Sequence, residues 1–167
     1  MATTLDYSAI ESAMNTVLSA DATLDAVITT FQAGHSTDVA EDRINMLGFA
    51  AAELPACMAF VRTFIGDQVR VEDDTVSELL NYVPCGVFVI DRKTTHAAAL
   101  ASVVAATEMV ERIVKKQVCA AQCWNSAGDT VIESVRSGLS ALPDGTQFVV
   151  IGEVLFDLMI FTEIEGV

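Results

Sequence analysis

Apolar residues recur at helical spacing near the start of the chain, at Ile10, Met14 and Val17 and then at Leu24, Ile28 and Phe31, with polar residues between. This pattern predicts one amphipathic helix, or two joined near Asp21, whose carboxylate can cap a second helix beginning at Ala22. From Gly34 to Pro55 no period is sustained, so the span 34–55 is expected to be a loop with short ordered pieces and the most mobile part of the chain. Residues 56–65 are dense in apolar and β-branched types, and Gly66-Asp67 separates them from 68–72, where Val69 and Val71 alternate with polar neighbours. The pair resembles a hairpin. The run Cys85-Gly-Val-Phe-Val-Ile90 is apolar on both faces, as a central strand covered on both sides must be, and Asp91-Arg92-Lys93 should stop it.

A long helix is expected over 94–119, capped by Thr94 or Thr95, with Leu100, Val103, Thr107, Val110 and Val114 on one face. Its first half is nearly all small, Ala97-Ala-Ala-Leu-Ala-Ser102, which would let it sit close against a sheet. Arg112, Lys115 and Lys116 fall near its C-terminus, where they oppose the helix dipole. After Asn125-Ser-Ala-Gly-Asp129, residues 131–139 have the β-branched content of a strand, and Leu142-Pro-Asp-Gly145 reads as a turn. In the closing run from Thr146 to Glu165, period two puts Val154, Phe156, Leu158, Ile160 and Ile164 on one face. Glu153, Asp157, Glu163 and Glu165 stand on the other, among Leu155, Met159 and Phe161. One face is core and the other acidic. The pattern as a whole predicts an α+β fold, a mixed or antiparallel sheet with an N-terminal helix and one long helix packed on it, in a single domain over 1–167.

Composition narrows what such a fold can do. The chain is 52% hydrophobic and 19% charged, too apolar for a disordered protein. Its apolar runs are too short or too interrupted to cross a bilayer: 94–107 is brief and alanine-rich, and 148–161 is cut by Glu153 and Asp157. No membrane partner is expected, and no secretory signal or lipidation motif is expected at either end. A formal charge of −14 repels a phosphate backbone, so sequence-specific nucleic-acid binding is not expected. The same charge could line a pore through which DNA passes without sticking, if copies of the chain close into a ring.

Candidate chemistry is sparse. Cys57, Cys85, Cys119 and Cys123 lie in apolar stretches and read as reduced, buried thiols; the Cys119-x-x-x-Cys123 spacing fits neither a zinc knuckle nor a redox pair. His96 stands on the expected core face of the long helix, and His35 follows Gly34 with no nucleophile motif beside it. Glu72-Asp73-Asp74 lacks the alternating ligands and glycine of a calcium loop and reads as a solvated turn. Gly34, Gly48, Gly66 and Gly86 form no phosphate-binding loop, and Trp124 suits an interface anchor or half-buried packing equally. No enzyme activity, metal or cofactor is expected. The acidic positions Glu153, Asp157, Glu163 and Glu165 remain as the candidate interface or pore face.

The opening helix from Ile10 to Phe31, the strand Cys85–Ile90 feeding the helix 94–118, and the closing strand 152–164 occur in an order that resembles the small α+β tail-terminator and tail-completion proteins of long-tailed bacteriophages. The resemblance implies a structural subunit of a homo-oligomeric ring, usually a hexamer, that caps the tail tube and joins it to the head within the virion. Its partners would be tail-tube and neck proteins, with no enzymatic activity, no cofactor and a pore for the genome. A small-ligand-binding or regulatory α+β domain is the alternative that the same fold permits.

Overall fold

The computed structural model describes residues 7–36, 45–62, 68–73, 76–117 and 130–163. Chain order is α1 (Tyr7–Ser19), α2 (Ala22–Asp25), β1 (Thr30–Ser36), a 3-10 turn (Ala51–Glu53), β2 (Ala56–Arg62), β3 (Gln68–Asp73), β4 (Val76–Lys93), α3 (His96–Gln117), β5 (Thr130–Asp144) and β6 (Gln147–Glu163). The strands form one sheet in the order β1-β2-β4-β6-β5, with β3 paired to the first half of β4. β1 and β2 run parallel and the remaining pairs are antiparallel, so the sheet is mixed and the fold is α+β.

Local chemistry accounts for the opening helices. Ile10, Met14 and Leu18, four residues apart, are buried on α1, whereas Val17 is only half-buried. Asp21 ends the first helix and begins the second, its Oδ1 accepting from Thr23 N and Leu24 N at 3.0 Å each. The second helix stops at Asp25, and Phe31, expected on a helix, belongs to β1. Thr29 marks the switch: its N donates to Pro55 O (2.7 Å) and its Oγ1 to Leu54 O (3.1 Å), fastening the chain to the start of β2.

The span 34–55 also departs from a plain loop. Gly34–Ser36 close β1, and residues 45–54 lie against the sheet with Met46 and Phe49 buried, while 37–44 fall outside the described residues. The hairpin expected from 56–72 is a different pairing. β2 lies between β1 and β4, and β3 pairs only with β4, in register Gln68↔Asn81 to Asp73↔Val76. Alternation identified both strands, but the choice of partner depended on the 18-residue β4, long enough to serve β2 with one half and β3 with the other.

β4 is central, as its two-sided apolarity requires. Val83, Cys85, Val87 and Val89 join a core beneath α1 and α3, and Phe88 and Ile90 join a second core beneath residues 46–54. In the second core the Phe60 and Phe88 rings meet edge to face at 5.5 Å. Asp91-Arg92-Lys93 does not stop the strand, because each charge has somewhere to go. Arg92 Nη2 donates to Leu47 O at 3.2 Å, and Lys93 Nζ lies 3.3 Å from Asp91 Oδ2. Asp91 is fully buried, its Oδ1 accepting from Arg92 N.

Thr95 caps α3, its Oγ1 accepting from Ala98 N at 3.3 Å. Ala99, Val103, Ala106, Thr107, Val110, Ile113 and Val114 are buried against the sheet. The alanine run does not make the closest approach: Ala97, Ala98 and Ala101 face solvent. That approach falls at Gly152 of β6, where an added Cβ would lie 1.9 Å from Thr107 Oγ1 and 2.9 Å from Val103 Cγ1. The β5–β6 connection is tighter than the expected turn, with Asp144 paired to Gln147 and Gly145 at φ 61°.

Candidate interface surfaces

Register sorts the closing strand into two faces. Val150, Val154, Phe156 and Leu158 of β6 lie in the core beneath the helices, as period two predicts. Val149 and Ile151 point the other way into the second core, and beyond them Glu153, Leu155 and Asp157 are half-buried on that same face. Glu153 stands opposite Phe88 of β4 and Gly138 of β5, and a Cβ on Gly138 would meet its Oε1 at 2.9 Å. The glycine leaves the room in which this carboxylate lies. Asp157 stands opposite Pro84 and Glu133, and Arg136 is in register with Leu155 between the two acids. Glu163 ends β6 opposite Glu78, and Glu165 lies outside the described residues.

At the end of α3, on the helix side, the charges have the other sign. Arg112, Lys115 and Lys116 are exposed on the last turns of α3, and Lys115 Nζ bonds to Glu111 Oε1 in an i, i+4 pair. Ser137 Oγ of β5 donates to Glu111 Oε2 at 2.6 Å. Lys115 and Ser137 together hold the Glu111 carboxyl below the usual glutamate range. Val104, Thr107, Glu108, Glu111 and Ser137–Leu139 line a shallow groove of about 240 Å³ beside this cluster, with Leu139 half-exposed.

The other sequence candidates separate cleanly. His96 is exposed rather than core-facing, its ring edge-on to Phe148 at 5.9 Å, because α3 starts there and its buried stripe begins at Ala99. His35 is in β1, and Glu72 and Asp73 finish β3 rather than forming a turn. Cys57 and Cys85 are buried free thiols. Burial pushes the Cys57 thiol up to about 12, and burial, then the Asp157 and Glu11 charges, push Cys85 well above its ordinary value. Cys119, Cys123, Trp124, Asp74 and Gly66 lie outside the described residues. Among the described residues no cluster of three or more metal-ligating side chains occurs, and no helix is long and apolar enough to cross a membrane.

The fold defines an α+β protein whose mixed sheet carries helices on one face and, on the other, a second core with Glu153 and Asp157 beyond it. No family model and no curated protein matches the sequence. Among solved structures, a chain from the virion of a native gene transfer agent particle is similar at 17% identity over 92% of this chain and 93% of that chain, with a TM-score of 0.47.

Proposed function

We propose that this chain is a structural subunit of a phage or phage-like tail, forming a homo-oligomeric ring that ends the tail tube and joins it to the head or neck. The observation that supports the reading is the mismatch in length between the sheet and the helix that covers it. α3 has 22 residues, about 33 Å at 1.5 Å each. β4 has 18, about 59 Å at roughly 3.3 Å each. Both start from the same end, where His96 meets Phe148, so the far end of the sheet outruns α3 by about 26 Å. By this measure the stretch 159–163 of β6, the first third of β4, and β3 lie beyond the end of α3.

A strand arm that extends past its covering helix offers backbone edges and faces that a neighbouring copy can cover. Repetition of one such contact around an axis gives a closed ring. Light scattering after size exclusion, together with negative-stain images, tests the reading. A ring of defined copy number is expected. A monomer at every accessible concentration, also in the presence of isolated tail tubes, overturns it.

A further inference from the structure

The ring reading leaves open which surfaces meet, and the distribution of charge over the sheet answers that. In a chain of net charge −14, three of nine cations fall within five residues, at Arg112, Lys115 and Lys116. Lys115 is matched by Glu111, so Arg112 and Lys116 carry the excess at the exposed end of α3, against Glu108 one turn earlier. Both are exposed, and no carboxylate among the described residues lies within 4.0 Å of either. α3 covers the face of the sheet that bears Val154, Phe156 and Leu158. Asp157 and Glu153 belong to the opposite face, where Glu133 is in register with Asp157 and Arg136 with Leu155, while Arg92, in register with Val149, is at the other end of that face and bonded to Leu47 O. Around Asp157 that face keeps a negative excess. A second surface of the same sign cannot approach it without repulsion, whereas the end of α3 can.

Resting on the ring reading, we infer that the Asp157 face of β6 in one copy docks against the Arg112 and Lys116 end of α3 in the next. The two patches lie on opposite sides of one sheet, so no two-fold axis can satisfy both with a single contact. The association is head to tail, and each copy offers one acidic and one basic side. Charge complementarity also keeps the like faces apart and so fixes the direction of addition.

The test uses two variants of the full chain, Asp157→Lys and the double substitution Arg112→Glu with Lys116→Glu, each checked for folding by circular dichroism. Particle mass is read by light scattering at low and high salt. Each variant alone should dissociate at least about 10-fold more readily than wild type, since it places like charges across every contact. The wild-type assembly should weaken as salt shortens the screening length from about 10 Å at 0.1 M toward about 3 Å at 1 M. An equimolar mixture of the two variants should reassemble, with the kinds alternating. The milder Asp157→Asn and Lys116→Gln should give intermediate losses if a reversal fails to fold. Variants that assemble as wild type, or a mixture of folded variants that stays dissociated, overturn the inference and leave the ring standing. A wild-type chain that never assembles overturns both.

Discussion

Replacing Gly152 with alanine adds one methyl at the tightest contact between α3 and the sheet. Two effects oppose each other. Alanine is preferred to glycine inside a strand by about 0.5–1 kcal/mol, chiefly through the unfolded chain. Against this, the new Cβ would sit 1.9 Å from Thr107 Oγ1, 2.9 Å from Val103 Cγ1 and 3.0 Å from Thr107 Cβ. Turning the Thr107 hydroxyl away is restricted, because β-branched side chains in a helix have few χ1 wells, and the other two contacts would remain. The helix must lift, and overpacking of this kind costs about 1–3 kcal/mol. The steric effect wins, leaving a net loss of about 1–2 kcal/mol, or a Tm lower by roughly 2–8 °C for a chain of this size. Thr107 Oγ1 is buried without a hydrogen-bond partner, so Thr107→Ala removes the nearest obstacle without breaking a bond. In that background Gly152→Ala should cost less, by a coupling of about 0.5 kcal/mol or more. Thermal and urea unfolding of the four proteins measures this. An unchanged or higher Tm in Gly152→Ala, or no coupling to Thr107, would refute the close approach.

Phe156 and Leu158 are buried beneath the helices, and truncating either to alanine should cost about 2–5 kcal/mol in urea unfolding, whereas Asp157→Asn between them should change stability by less than about 1 kcal/mol. Cys57, held near 12 in the fold against an ordinary value of 9.0, favours the folded state fully below about pH 9. That contribution should be lost as pH rises from 9.0 toward 12, because the unfolded thiol ionises first; the pH dependence of unfolding should flatten in this window in Cys57→Ala. Both buried thiols should resist a thiol reagent at pH 8 until the protein is unfolded, and rapid labelling of the native chain would contradict their burial. Asp21→Ala removes the acceptor for Thr23 N and Leu24 N and should lower stability by about 0.5–2 kcal/mol, with Asp21→Asn retaining most of it.

The sequence by itself determined the elements whose signal is local. The Asp21 cap, the α3 stripe from Val103 to Val114, the two-sided strand Cys85–Ile90 and the inward set Val154, Phe156 and Leu158 are each written in spacing and side-chain type. The α+β class followed from their order. What the chain could not state locally was which strands pair. β2 and β3 both alternate correctly, and only the length of β4 shows that it serves each with a different half. Phe31 fits a helical period as well as it fits a strand, and the bonds from Thr29 to Leu54 and Pro55 chose between them. The closest helix contact fell at Gly152 rather than on the alanine run, since a small residue permits close approach only on the side that faces the sheet. The two charge patches were visible as acidic and basic residues in the sequence. Only the tertiary structure put them on opposite sides of one sheet, because α3 returns over the face that Glu153 and Asp157 turn away from.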